Sequence, residues 1–357
     1  MSILFNFVDF LQFGTIAEAY QAFATRRTPS LGSFIQLHWP TPSGVGLFFK
    51  LRCAIFADDR FWILSGLRCA SRKTGSISLL NLVYAAPAPA LADYISAFYL
   101  FETDEPHFSD IERADIAQLR FSLSGSGDIS FGPNDTQSFL PVTLIGPRMT
   151  ASTLRVSGPA VCFGMGLLPA GWCALTGLPA YEFANRLVDA CGRVSDDVDA
   201  LRGAMVAAGC FQEMVEASER FVADAVSKAD TPPFRLIRAV DAWLETNMDP
   251  DIGELAEKTG LSAAQLQRQL KSVYGASPKL LARKYRALKT AVRIANGDGV
   301  WQDYVGGTYY DQSHCIREIK TFTGVTPEAI RKTPRLTKAT FERHKLKGKI
   351  STLATEI

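Results

Sequence analysis

The sequence predicts an α+β multidomain fold, with a small antiparallel β-sheet or barrel plus helices in the front half and an all-α, double helix-turn-helix region at the C-terminus. Three observations lead to this prediction. The chain has 357 residues, which is too long for one ordinary hydrophobic core. Its middle part alternates apolar and polar residues as strands do, whereas apolar residues recur at helical spacing from Pro179 onward. Basic residues are also concentrated towards the C-terminus.

The charge of the chain is unevenly distributed. The net charge is +2, but residues 231–349 contain 21 Lys/Arg and 12 Asp/Glu, a net of +9. Residues 1–230 contain 17 Lys/Arg and 23 Asp/Glu, a net of −6. Within the basic part, residues 261–349 hold 18 basic and only 6 acidic side chains. A basic C-terminal third behind an acidic front is typical of a module that binds a polyanion such as DNA.

Composition indicates a globular, cytoplasmic protein, with 47% hydrophobic and 21% charged residues. Seven cysteines without a CxxC pair suit a reducing compartment, where buried thiols act as small apolar side chains. No apolar run reaches the roughly 18 residues of a membrane span. The apolar N-terminus has no preceding Lys or Arg, and Asp9 interrupts it, which argues against a signal peptide.

Residues 1–82 keep neither a helical nor a strand period, although residues 15–27 read as one helix. We therefore predict a poorly patterned N-terminal extension, which an early-assigned start would explain. An extra small domain is the alternative. Limited proteolysis should remove the segment cleanly if it is an extension.

Residues 83–230 predict a sensor-like, β-rich domain with a helical tail. Residues 90–102 show helical spacing, whereas residues 116–123 alternate as a half-buried strand does. Further short strands are expected at 128–131, 141–146, 151–157 and 160–168, with residues 167–172 closing the sheet. Helices are expected at 179–190, 196–208 and 211–228.

The polar, proline-ended stretch at 228–233 is predicted to be a linker. It separates the β-rich domain from a C-terminal domain at residues 231–335. A basic tail at residues 336–357 follows.

The segment 251–275 contains the parts of a helix-turn-helix. Its first helix would bury Ile252, Leu255 and Ala256. Gly260 allows the positive φ of a tight turn, and Ser262 is a suitable N-cap for the second helix. The apolar face of that second helix comprises Leu266, Leu270 and Val273, and its polar face comprises Ala264, Gln267, Arg268 and Lys271. An ordinary helical hairpin is the alternative for this segment alone.

The stretch YYDQSHCIREIKTFTGVTP, residues 309–327, predicts a second unit of the same kind. A scaffold helix is expected at 300–306, and a helix starting near Asp311 would expose Gln312, Ser313, His314 and Arg317. A connecting helix at 277–294 has proline near its first turn. Two such units on one connecting helix would place two reading helices about one DNA turn apart, where Gln and Arg can read adenine and guanine edges.

Residues 234–333 resemble the DNA-binding domain of the AraC/XylS family of bacterial transcription factors. LAEKTGLSAAQLQRQLKSVYGASPK resembles the first unit, and YYDQSHCIREIKTFTGVTPEAIR resembles the signature of the second. The residues that the resemblance implies to face DNA are Ala264, Gln267, Arg268, Lys271, Gln312, Ser313, His314 and Arg317. Those implied to be core are Leu266, Leu270, Ile319 and Phe322.

The second unit departs from the family pattern. Phe is usual at the positions of Cys315 and Ile319, and the scaffold WQDYVGGTYY is one residue short, with Thr308 in place of a glycine. In a helix interior, Gly306 and Gly307 would each cost about 1 kcal/mol relative to Ala. We therefore expect the second unit to be weaker than the first.

Residues 86–190 resemble, more weakly, an uncharacterised sensor-like domain found before such DNA-binding domains. The matching pieces are PAPALADYISAFYLFE, GPRMTASTLRVSG and LLPAGWCALTGLPAYEFANRL. The resemblance implies an effector, a partner or a second subunit, but names no ligand. Two interpretations of Phe163, Met165, Trp172 and Arg148 stay open: a pocket lining, or a buried core with a surface arginine.

An enzymatic role is not expected. GxSxG, Walker A and GxGxxG motifs are missing from the sequence, and His38 and His107 have no partner at metal-ligand spacing. Some proteins with this DNA-binding domain repair alkylated DNA through a reactive cysteine. Here Cys162, Cys173 and Cys191 have no neighbouring His or basic residue to activate them.

The function we predict is sequence-specific DNA binding for transcription regulation. The expected partners are double-stranded promoter or operator DNA, a small-molecule effector, RNA polymerase and a second copy of the chain. No cofactor, metal or membrane partner is expected. The alternative is a protein–protein module whose degenerate helix-turn-helix no longer reads DNA.

Overall fold

The computed structural model describes residues 2–5, 34–39, 47–52 and 80–332. The chain forms two compact units, residues 1–77 and 78–357. In the first unit, β1 (Ser2–Phe5) pairs in parallel with β2 (Phe34–Trp39), which pairs in antiparallel fashion with β3 (Leu47–Arg52). The helix predicted at residues 15–27 lies outside the described residues. The nature of residues 1–82, and the predicted domain divisions near 83, 231 and 336, stay predictions.

The second unit begins with an eight-stranded antiparallel sheet, which confirms the predicted architecture of the front half. Its strands are β4 (Leu80–Ala85), β5 (Ile95–Thr103), β6 (His107–Glu112), β7 (Ala117–Gly132), β8 (Asp135–Ser138), β9 (Val142–Ile145), β10 (Ser152–Leu167) and β11 (Leu187–Asp189). The order is β11-β9-β7-β10-β5-β4, while β6 pairs with β10 and β8 with β7. The two long strands β7 and β10 are therefore the central strands of this sheet.

Several predicted elements are wrong. Residues 90–102 mostly form β5 rather than a helix, because both faces of this strand are buried and the alternation of a half-exposed strand is missing. The strands predicted at 151–157 and 160–168 are one strand, β10, whose pairing with β7 shifts register after Ser157. The helix predicted at 179–190 is a short 3-10 turn at Ala180–Glu182 followed by β11.

The helices after the sheet largely follow the predicted periodicity. They are α1 (Pro169–Thr176), α2 (Val198–Ala207), α3 (Phe211–Lys228), α4 (Phe234–Thr246), α5 (Ile252–Thr259), α6 (Ala263–Tyr274), α7 (Pro278–Asn296) and α8 (Gln312–Thr323). The helices expected at 196–208 and 211–228 are confirmed as α2 and α3. Residues 167–172, which were expected to close the sheet, span the last residue of β10 and the first turn of α1.

One hydrophobic core joins the front domain, which comprises the sheet β4–β11 and helices α1 to α3, to the helical domain, which comprises α4 to α8. Ala114, Ile116, Met149 and Leu168 of the front domain belong to the same buried cluster as the apolar faces of α4 to α7. Phe322 of α8 belongs to it as well. Because the two domains share this closely packed core, a displacement of one domain strains the packing of the other.

Candidate nucleic-acid interface

The first helix-turn-helix unit has the predicted geometry. Asp251 caps α5, and Gly260 ends it with a φ of 69°. Ser262 caps α6 through a reciprocal capping box with Gln265, in which each side chain accepts from the backbone N–H of the other residue. These caps fix both helix ends at the turn, so α6, here called the first reading helix, leaves the turn in a defined direction.

The first reading helix buries one face and exposes the other. Leu266 and Leu270 are fully buried, and Val273 is nearly so, which confirms the predicted core positions. The side chains that the sequence assigned to DNA, Ala264, Gln267, Arg268 and Lys271, are all exposed. Their contact with DNA stays a prediction, but nothing within the described chain covers them.

The second unit has a shorter scaffold than predicted. In place of a helix at 300–306, a 3-10 turn spans Trp301–Tyr304. Gly306 and Gly307 lie after it in an exposed turn, and Gly306 has a φ of 84°. These glycines therefore do not weaken a helix interior, as the sequence had indicated. Gly306 instead has a backbone conformation that residues with a Cβ rarely adopt.

The helix α8, here called the second reading helix, begins at an N-cap formed by Asp311, whose carboxylate accepts from the N–H of His314 at 2.7 Å. Cys315, Ile319 and Phe322 are fully buried, so the core under this helix is closed. Gln312, Ser313 and Arg317 are exposed, as predicted for a reading face.

His314 differs from the other predicted reading residues. It is only partly exposed, and its Nε2 lies 3.2 Å from Oε1 of Glu318 in the same helix. Its ring also packs edge-on against Tyr309, with the ring centroids 5.7 Å apart. The imidazole is therefore held against Tyr309 and Glu318 with 31% of its side chain exposed, and its contact with bases stays a prediction.

Glu318 lies at the centre of a buried charge network that the sequence analysis missed. Its carboxylate accepts from Nε of Arg283 at 2.5 Å and from both Nε and Nη2 of Arg286, at 3.0 and 2.7 Å. Burial alone would raise the pKa of Glu318, but the hydrogen bonds from Arg283 and Arg286 hold it below its usual value. Arg286 also donates to Asp249 at 2.6 Å, in the loop before α5.

This network ties the two reading units together. Arg283 and Arg286 are on α7, here called the connecting helix, which joins the two units. The sequence did contain a signal for this network, because helical spacing places position 318 on the same face as the apolar residues Cys315 and Ile319. An acidic residue on a buried face must find cationic partners, and two arginines three residues apart supply them.

Some basic residues of the C-terminal domain are unavailable to a polyanion. Lys284, Arg286 and Lys289 of the connecting helix are buried. Lys284 donates to the backbone oxygen of Asp115 at 2.6 Å, and Lys289 donates to that of Leu244 at 2.7 Å. The exposed positive charge is therefore smaller than the sequence count indicates.

The front domain contains a cavity with a free volume of about 80 Å³. Its apolar walls include Leu82, Phe101, Phe139, Leu154, Val156 and Ala160, and its polar floor includes Tyr99, Glu112, Asp115, Gln118, Arg120 and Arg148. Glu112 accepts from Arg120 at 2.7 Å and from Arg148. Burial opposes ionisation of Glu112, but these two guanidinium groups keep its pKa below the usual value.

The two interpretations of the predicted pocket residues are now separated. Phe163, Met165 and Trp172 are buried core residues and do not line the cavity. Arg148 does line it, and is 2% exposed, so the prediction of a surface arginine is wrong. Its Nη2 lies 3.5 Å from the carboxylate of Asp115.

The cysteines differ in their surroundings. Cys315 is buried, whereas Cys191 and Cys210 are exposed, so the expectation that the thiols act as buried apolar groups holds only for some of them. Burial raises the pKa of Cys162, Cys173 and Cys315 to about 11, which disfavours their thiolates. Among the residues that the structure describes, no cluster of His, Cys, Asp and Glu could hold a metal ion. Nor is any helix there both long and apolar enough to cross a membrane.

Family models match both the front domain and the helical domain of residues 78–357. Residues 255–333 match the family model of a helix-turn-helix domain, which covers both units described above. Residues 84–189 match a domain of unknown function, DUF6597, which corresponds to the antiparallel sheet. A search of curated proteins found no match to this sequence.

Solved structures give distant likenesses. Fatty-acid-bound ToxT from Vibrio cholerae is 10% identical, with 74% of this chain and 98% of that chain covered and a TM-score of 0.41. The AraC-like transcriptional activator CuxR is 12% identical, with 60% and 82% covered and a TM-score of 0.28. The family models, rather than these structures, identify the domains.

Proposed function

We propose that this chain, whose C-terminal domain is a helix-turn-helix domain of the AraC type, is a sequence-specific DNA-binding transcription regulator. The observation that carries the proposal is the pair of capped helices in this domain, each with a buried apolar face and an exposed polar face. The second helix of a helix-turn-helix enters the major groove, where its N-terminal residues contact base edges.

The proposed base contacts follow from side-chain chemistry. Gln267 and Gln312 have the amide that pairs with adenine, and Arg268 and Arg317 have the guanidinium that pairs with guanine. All four side chains are exposed. Exposed Lys271 and Lys320, near the C-terminal ends of the two reading helices, are suited to phosphate contacts.

The experiment is a footprint of the full-length chain on the promoter next to its own gene, repeated over a range of salt concentrations. We expect a protected site whose affinity falls steeply with salt, with a log–log slope of roughly −0.9 for each phosphate contact. Protection that is absent, or an affinity that stays flat between low and physiological salt, would sink the proposal.

The rival function is a protein–protein module with a degenerate helix-turn-helix. A degenerate unit is expected to lose caps, turn glycines or polar reading residues. The first unit keeps all three, at Ser262, Gly260 and Arg268. These features favour DNA binding over the rival, and the same footprint separates the two.

We also propose that a small-molecule effector binds in the front-domain cavity. The buried Nε–H of Arg148, on the cavity floor, has no acceptor within the described chain, so a ligand with a hydrogen-bond acceptor would satisfy it. The free volume is about half of the roughly 150 Å³ that admits benzene, so an effector has only a few heavy atoms unless the walls move. Native mass spectrometry of the purified chain would detect it as an added mass. RNA polymerase and a second copy of the chain remain candidate partners on the family resemblance alone.

A further inference from the structure

The C-terminal end of the second reading helix is held by the front domain. The last carbonyl groups of a helix have no partner inside that helix and must be satisfied from outside. Here the backbone N–H of Ala114 donates to the carbonyl of Phe322 at 2.7 Å, and that of Ala151 donates to the carbonyl of Thr321 at 2.9 Å. Both donors belong to the front domain.

Side chains at the same end are packed as closely. Gly324, the C-cap of the second reading helix, has a φ of 79°. A Cβ built at Gly324 would overlap Cγ2 of Ile111 and lie 3.2 Å from Cβ of Ala151. Phe322 is in the core cluster that contains Ala114. The front domain is therefore in direct contact with the C-terminal end of the second reading helix at residues 321–324.

The connecting helix secures the front-domain segment that makes these contacts. Lys284 donates to the backbone oxygen of Asp115, which also accepts from the N–H of Arg148 at 3.0 Å. Residues 111–115 are thus fixed on one side by the connecting helix and on the other by the second reading helix.

The two helix-turn-helix units differ in how much support they provide for themselves. The first unit has an eight-residue scaffold helix, α5, before its reading helix. In the second unit, the corresponding element is the four-residue 3-10 turn. A short turn buries less surface against the reading helix than a complete helix does, so the second reading helix needs another partner.

We propose that the front domain completes the second helix-turn-helix unit, with residues 111–115 and Ala151 holding the second reading helix in its DNA-reading position. These are positioning residues, since the exposed reading side chains Gln312, Ser313 and Arg317 lie towards the other end of the helix. The inference rests on the proposed function. It adds that the front domain controls one half of the DNA site.

This arrangement connects the cavity selectively to the second reading helix. Glu112 and Asp115 line the cavity and belong to the segment that holds the second reading helix. A ligand that shifts either carboxylate would act on the half-site read by the second unit. The first reading helix also meets the front domain, at Gly275, but it has its own scaffold helix as well.

The test is Gly324→Ala in the full-length chain. The new Cβ meets Ile111, whose branched side chain resists the χ1 change needed to move Cγ2 away. Gly297→Ala is the matched control, because Gly297 is also a helix C-cap with positive φ, and a Cβ there meets no described atom within 4 Å. Both variants carry the same kind of backbone strain, but only Gly324→Ala pushes the second reading helix away from Ile111 of the front domain.

The probe is a set of duplexes selected from a random-sequence pool by the wild-type chain. The half-sites are then assigned by the positions whose base preference Arg268→Ala and Arg317→Ala relax. We expect Gly324→Ala to lose affinity by about tenfold or more, the loss of one good base contact, only through the Arg317 half-site. Gly297→Ala should keep both half-sites.

Equal losses from Gly324→Ala and Gly297→Ala, or a Gly324→Ala loss spread over both half-sites, would overturn the inference. If Gly324→Ala does not fold, as judged by circular dichroism, Ile111→Ala alone takes its place. It must then lose affinity at the Arg317 half-site only, and unchanged affinity overturns the inference. A wild-type chain that selects no sequence overturns the proposed function itself, and this appears before any variant is made.

Discussion

Glu318 shows how one buried residue sets the geometry of a reading helix. Its carboxylate is 1% exposed and binds Arg283 and Arg286 of the connecting helix as well as His314 of its own helix. A buried charge without partners is costly, so the position of the second reading helix is restricted to one where these bonds can form.

Glu318→Gln should lower the free energy of unfolding by about 3–5 kcal/mol at neutral pH, since it removes the counter-charge of a buried cation. Glu328→Gln is the matched control, an exposed acid near the same helix, and should change stability by less than about 0.5 kcal/mol. Urea denaturation of both variants measures the difference. Because the pKa of Glu318 is lowered by folding, its contribution is present above the usual glutamate pKa and is lost as the pH falls. Equal effects from the two variants would show that the network does not contribute to the free energy of unfolding.

Lys284 is the buried base between the connecting helix and the front domain. Burial lowers its pKa from 10.5 to about 7, with Asp115 opposing the shift and Arg148 and Arg113 adding to it. Between pH 7 and 9 the unfolded chain therefore binds a proton at this position that the folded chain does not. Under these conditions the contribution of Lys284 to the free energy of unfolding rises with pH.

We predict that Lys284 raises the free energy of unfolding by roughly 2 kcal/mol between pH 7 and 9, measured as the difference between the wild-type chain and Lys284→Met. The buried thiols of Cys162, Cys173 and Cys315 act in the opposite direction in both chains, because burial raises their pKa to about 11 whereas the thiols of the unfolded chain ionise within this window. Lys279→Met, an exposed lysine on the same helix, should keep the pH dependence of the wild-type chain. The same pH dependence in Lys284→Met would mean that Lys284 makes no such contribution.

At the scale of elements, local signals in the sequence predicted the first helix-turn-helix unit and its caps. Gly260 and Ser262 act through their own backbone and side chain, so their roles depend little on the rest of the fold. The same applies to the connecting helix, whose Pro278 stands in the first turn as expected.

The elements that the sequence did not predict depend on distant contacts. The pattern of residues 90–102 predicts a helix although they mostly form β5, because both faces of this strand are buried and the alternation that marks a half-exposed strand is missing. The scaffold of the second helix-turn-helix unit is a short turn where the sequence predicts a helix. Its function is replaced by contacts with residues 111–115, nearly 200 positions earlier, which no local pattern contains.

The candidate site divides in the same way. The exposure of Gln267, Arg268, Gln312 and Arg317 follows from helical spacing alone, and it was predicted. The internal bonds of His314 required knowledge of Glu318 and Tyr309, and the burial of Arg286 required the packing of the connecting helix. Sequence reasoning therefore predicted which faces of the two helices are exposed, but not the contacts that orient these helices.

At the scale of the whole molecule, the front domain and the helix-turn-helix domain form one packed body within the second unit. Their common core and the bonds from Ala114, Ala151 and Lys284 mean that the front domain is part of the architecture that we propose to read DNA. Both reading faces remain exposed on the helical domain. The central claim is that these two faces read separate parts of one DNA site.

The most direct test compares Arg268→Ala with Arg317→Ala on duplexes in which each base pair of a selected site is changed in turn. We predict that each variant relaxes discrimination, worth roughly 1–3 kcal/mol for a good contact, at different base pairs about one helical turn apart. Arg293→Ala, an exposed arginine of the connecting helix outside both reading faces, should relax none. If Arg268→Ala and Arg317→Ala weakened all sequences equally, or relaxed the same base pairs, the two faces would not be separate reading surfaces.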